Sequence, residues 1–64
     1  MIRVNGNDQS FVEETLASLL ERLAIKSQGI AVAVNGDIVR RGEWVTTPVV
    51  DGAAIEIVTA AAGG

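Results

Sequence analysis

A chain of 64 residues with no Cys, no His and a formal net charge of −3 excludes several kinds of protein at once. A domain this small buries only ~60% of the surface its unfolded chain exposes, enough for a thin two-layer core and not for a deep catalytic cleft. Thiol or imidazole catalysis, disulfide stapling and the usual zinc sites are out of reach, so stability must come from packing aliphatic side chains.

Ile2 and Val4 alternate with Arg3, the period of a half-buried strand. Asn5-Gly6 predicts a tight hairpin turn, because both central positions tolerate positive φ. A short second strand is expected over Gln9 to Val12, with Phe11 or Val12 facing the core. Leu16, Leu19, Leu20 and Leu23 recur at i, i+3, i+4 and i+7 and predict an amphipathic helix. Thr15 is placed to cap it, Glu13 and Glu14 precede it on the side its dipole favours, and Lys26 falls near its end. Gly29 is the expected stop.

Ile30 to Val34 reads as a strand covered at least in part on both faces. Ile30, Val32 and Val34 share one side and should pack on the helix. Ala31 and Ala33 share the other, leaving a flat face of small residues. Asn35-Gly36 is a second turn, followed by a short strand at Ile38-Val39. Trp44, the only tryptophan, is expected to plug the core beneath the polar loop Arg40-Arg41-Gly42-Glu43. Pro48 argues against a central strand at Val49-Val50. Asp51-Gly52 is a third turn, and Ala54 to Val58 alternates Ile55 and Ile57 against Glu56 as the last strand. A hairpin, a crossing helix and further strands imply an α+β fold, one mixed sheet with a single helix packed on one face. The first and last strands are expected to pair in parallel near its centre, since a crossover connection separates them.

The expected organisation is a domain over residues 1–58 and a flexible C-terminal tail over 59–64. The segment Thr59-Ala60-Ala61-Ala62-Gly63-Gly64 has no large side chain and no alternation. On composition it reads equally as a frayed linker-like end or as a tether with a purpose. The second reading has a chemical basis. Glycine lacks Cβ, so Gly63 and Gly64 can enter a narrow channel and present an unhindered carboxylate. A carboxylate is ionised at neutral pH and is a poor electrophile until a leaving group is attached. The chain has no GxGxxG and no GxxxxGK[ST] pattern for a nucleotide, so it would be the substrate of such an activation and not its catalyst.

Four stretches together resemble a known family over nearly the whole chain. They are Met1-Ile2-Arg3-Val4-Asn5-Gly6, Thr15-Leu16-Ala17-Ser18-Leu19-Leu20, the run from Ala33 through Asn35-Gly36 to Arg41-Gly42-Glu43-Trp44, and Asp51-Gly52-Ala53-Ala54-Ile55-Glu56-Ile57-Val58 leading to Gly63-Gly64. The resemblance is to ThiS, the sulfur carriers of thiamine thiazole biosynthesis, among the ubiquitin-like β-grasp proteins. Arg40 departs from the proline often found there, and Ala53 from an acidic residue. Arg41 matches the family's basic residue. The resemblance implies that a ThiF-type adenylating enzyme, related to ubiquitin activators, spends ATP to activate the Gly64 carboxylate. A sulfur donor protein then gives a thiocarboxylate, and ThiG-type thiazole synthase takes the sulfur. ATP is consumed by the partner, no cofactor is held permanently, and no side chain of this chain is catalytic.

Gly64 is then the modified residue, with Gly63 and Ala62 in the tail that carries it. Ala31, Ala33 and Arg41 are candidate partner contacts. The face of Ala31 and Ala33 reads equally as a solvated or covered strand face, and the Arg40-Arg41 pair also as a solvated loop. Rival readings are the small subunit of molybdopterin synthase, a ubiquitin-like modifier joined to lysines, and a plain interaction domain. The negative charge argues against nucleic acid. The absence of a basic and apolar leader, of a ~20-residue apolar run and of cysteine is what a cytoplasmic protein without a membrane span would show.

Overall fold

The computed structural model describes residues 1–59. The elements are β1 (Ile2–Val4), β2 (Asn7–Gln9), α1 (Leu16–Arg22), β3 (Ile30–Val34), β4 (Asp37–Val39), a 3₁₀ turn at Arg41–Glu43, and β5 (Ala54–Thr59). One five-stranded sheet has the order β2-β1-β5-β3-β4. β1 and β5 pair in parallel, and the other three pairings are antiparallel. The last strand among the described residues is therefore the central strand of the sheet, joined to β1 on one side and β3 on the other. α1 packs on one face through Leu16, Leu19 and Leu20, which meet Ile2, Val4, Val32, Ile55 and Trp44 in the core.

β2 begins two residues earlier than the sequence suggested. A two-residue turn at Asn5-Gly6, with φ of +51° and +83°, sets Asn7 opposite Val4, so turn geometry overrides the weak strand propensity of Asn7-Asp8-Gln9. Phe11 lies beyond the strand and packs on the core, while Val12 is exposed.

The start of α1 is capped as the sequence predicted: the Ser18 N–H donates to Thr15 Oγ1 at 3.2 Å. Two other first-turn donors are satisfied from a distant loop, Leu16 N–H by the Thr47 carbonyl at 2.8 Å and Ala17 N–H by the Trp44 carbonyl at 3.0 Å. Buried helix starts need such partners, and here the 44–47 segment supplies them. Glu13 and Glu14 precede the cap. Glu14 reaches instead to Arg22, accepting from Nη2 at 2.8 Å and from Nε at 3.0 Å. The Arg22 hydrogen bond outweighs desolvation and holds the Glu14 carboxyl below its ordinary value.

The helix stops well before Gly29. Ala24 adopts φ +58°, and the Ala24 and Ile25 N–H groups turn back to the Glu21 and Leu20 carbonyls at 3.0 and 2.9 Å. This is a Schellman ending with alanine where glycine is usual, and it leaves Lys26 beyond the helix. Left-handed backbone costs an L-residue roughly 1–2 kcal/mol. Ala24→Gly is accordingly expected to raise stability by about 1 kcal/mol, less what glycine loses in chain entropy. A urea titration showing a lower midpoint for Ala24→Gly would contradict this.

β5 continues through Thr59, which pairs with Ile30, so the strand takes in a residue assigned by sequence to the tail.

Candidate functional site

Chain order brings the central strand directly to the C-terminal residues. The Gly64, Gly63 and Ala62 assignments lie outside the described residues. What the structure places is the strand that carries them, and it is held from both sides by the same device. Asn5 and Asn35 each occupy the first position of an Asn-Gly turn at φ +51°, and each turns its side-chain carbonyl toward β5. Asn5 Oδ1 accepts from Ile57 N–H at 2.7 Å, and Asn35 Oδ1 accepts from Ala54 N–H at 2.9 Å. Their backbone N–H groups donate to the Ile55 and Ala54 carbonyls at 2.9 and 2.7 Å. Each asparagine thus ends its own hairpin strand and extends the ladder along β5. The sequence carried a signal for this, the repeated Val-Asn-Gly at 4–6 and 34–36, but read only as two turns.

The sheet face away from α1 is partly apolar. Cross-strand registers set Ala31 opposite Val58, Ala33 opposite Glu56, and Ala33 opposite Ile38. Ala31, Ala33, Gly36, Ile38, Glu56 and Val58 line one shallow depression there. Ala31 and Ala33 are half-buried, whereas Ile38 is 74% and Val58 58% exposed. Sequence reading found the alanines and missed Ile38 and Val58. Their alternation was visible, and the Asn35-Gly36 turn pointed to β4 beside β3, but the pairing of β5 on the other edge of β3 was not legible. Exposed branched aliphatics grouped on one face mark an interaction surface more often than singly scattered ones do.

Arg41 is elsewhere. It sits in the 3₁₀ turn, donates from Nη2 to Ser27 Oγ at 3.2 Å, and lines a second depression with Leu20, Glu21, Ile25, Trp44 and Val45 on the helix side. Trp44 is 4% exposed and its Nε1–H donates to the Val39 carbonyl at 3.0 Å, so it is the core plug expected. Among the described residues no group of acidic side chains is arranged to hold a metal ion. No described helix is long and apolar enough to cross a membrane.

The profile of the ThiS family matches residues 2–64. The chain belongs to the ThiS family. A crystal structure of the thiamine biosynthesis protein ThiS from Geobacter metallireducens superposes with a TM-score of 0.87 at 27% identity, covering 98% of this chain and 97% of that one. A solution structure of a thiamine biosynthesis protein from Geobacter metallireducens gives 0.71 at 26% identity, over 89% of this chain and 78% of that one. No curated protein sequence matches. The match to the ThiS structure supports the β-grasp architecture, a mixed five-stranded sheet over one helix.

Proposed function

We propose that this chain is a sulfur carrier for thiamine thiazole synthesis, with Gly64 as the residue that bears the sulfur. The supporting observation is that the ThiS family match extends through Gly63-Gly64, the residues that follow the clamped central strand. In this reading the Gly64 carboxylate attacks the α-phosphorus of ATP in an adenylating partner of the ThiF type, and pyrophosphate leaves. A sulfide equivalent from a sulfur donor protein then attacks the acyl carbon, a C–S bond forms and AMP leaves. The thiocarboxylate is a softer nucleophile than the carboxylate and delivers sulfur to a ThiG-type thiazole synthase without free sulfide. The chain supplies the reacting group and a handle, and the partners supply catalysis.

The handle is the open sheet face. Ala31 and Ala33 permit close approach, and Ile38 and Val58 supply apolar area to bury on a partner. Its place on β3, β4 and β5 puts it beside the strand that leads to Gly64.

The test is the intact mass of the protein after incubation with ATP, the adenylating enzyme and sulfide. A gain equal to exchange of one oxygen for sulfur is expected, and none in a variant lacking Gly64. An unchanged mass with an enzyme proven active on another carrier would overturn the reading.

A further inference from the structure

The sheet topology gathers uncommitted positive charge at the end from which the C-terminal residues depart. Thr59 pairs with Ile30 at the start of β3, and Val39 at the end of β4 pairs with Val32. The chain enters this end through Lys26-Ser27-Gln28-Gly29 and leaves β4 through Arg40-Arg41. The Arg41 guanidinium donates to Ser27 Oγ at 3.2 Å and ties the two segments together. Lys26, Arg40 and Arg41 are all exposed.

The other cations are committed within the fold. Arg3 pairs with Asp8, Arg22 with Glu14, and the Met1 ammonium with Asp51. Among the described residues, Lys26, Arg40 and Arg41 form no ion pair. Glu21 (which lines the same depression as Arg41), Glu43, and Glu56 on β5 three residues before Thr59 are the carboxylates nearby in the chain path. Glu13, Glu14 and Asp51 line one depression at the opposite end of α1, where Glu14 and Asp51 are paired with Arg22 and the Met1 ammonium. The side-chain cations that form no ion pair among the described residues thus lie together near the root of the C-terminal residues.

We propose that Lys26, Arg40 and Arg41 form a basic collar that docks on an acidic rim at the mouth of the adenylating enzyme's carboxylate channel. This rests on the carrier reading above. A chain of net charge −3 ending in a carboxylate must present that end to a site that also binds a triphosphate, and like charges oppose the approach. Exposed cations at the root offset this and turn the correct end toward the enzyme. Exposed cations unpaired inside a fold contribute little to its stability, whereas at an interface rim they govern encounter rate and orientation. The collar also adjoins the open face: the Ala31–Val58 pair is the rung next to Ile30–Thr59, so both can lie on one partner.

The experiment is carrier-dependent ATP–pyrophosphate exchange by the adenylating enzyme, with carrier concentration and salt varied. For Arg40→Glu/Arg41→Glu, KM for the carrier is expected to rise at least tenfold at low salt. kcat should change less than twofold, and the salt dependence of kcat/KM should flatten. Arg41→Lys, which keeps the charge, should retain most of the parental KM. Arg40→Glu, outside the Ser27 contact, should shift KM in the same direction and serves where the double variant fails to fold. A KM within twofold of the parent for both charge-reversed variants overturns the collar and leaves the carrier reading standing. No exchange by the unsubstituted chain overturns both.

Discussion

Trp44→Ala is expected to leave the protein largely unfolded at 37 °C. A 64-residue domain carries about 3–10 kcal/mol of stability at typical values per residue, and truncating a buried tryptophan to alanine costs about 3–5 kcal/mol. Here the loss exceeds a cavity. The Trp44 ring fills the space between α1 and the sheet, and its Nε1–H fixes the end of β4 through the Val39 carbonyl. The Trp44 backbone carbonyl, which the substitution keeps but whose position the ring anchors, accepts from Ala17 N–H in the first turn of α1. One residue thus joins the helix, the 3₁₀ turn and an edge strand. Trp44→Phe keeps a six-membered ring but loses the five-membered ring and its N–H donor, so it is expected to cost less than Trp44→Ala and still be destabilising. Circular dichroism melts of both variants decide the matter. A cooperative Trp44→Ala transition within a few degrees of the parent would show that the cluster repacks without it.

Ile38→Asp is expected to act on recognition and not on folding. Ile38 is 74% exposed on an edge strand, and substitutions at such sites usually change stability by no more than about 0.5 kcal/mol. If the open face docks on the adenylating enzyme, placing a charge in its apolar area should raise KM for the carrier about tenfold, or roughly 1.4 kcal/mol of binding. Ala33→Asp is a poorer probe. Ala33 is half-buried and stands opposite Glu56, and like charges across a strand pair are themselves destabilising. Unchanged exchange kinetics for a folded Ile38→Asp chain would remove this face from the docking surface. The Ile38 and collar variants separate the two surfaces, since only the collar effect should fade in high salt.

The sequence by itself determined what depends on neighbours along the chain. The leucine stripe and Thr15 set the helix and its start, because both act within a turn or two. The three turns and the alternation of Ile55 and Ile57 set the last strand, and the parallel pairing of first and last strands followed from the crossover between them. The composition removed catalysis by thiol or imidazole, and the motif combination pointed to ThiS, which the family profile bore out.

Tertiary structure alone decided the rest. β2 starts at Asn7 because turn geometry and pairing to β1 outweigh its polar composition. The helix ends at Leu23 because packing of Leu20 and Ile25 on the core offsets the strain at Ala24. Val58 joins Ala31 only through the pairing of β5 with β3, since contacts between residues far apart in the chain leave no local pattern to read, and Ile38 reaches Ala33 through the Asn35-Gly36 hairpin. Asn5 and Asn35 clamp the central strand, and Arg41 joins Ser27, for the same reason: a hydrogen bond between distant segments exists only once the sheet has set them side by side.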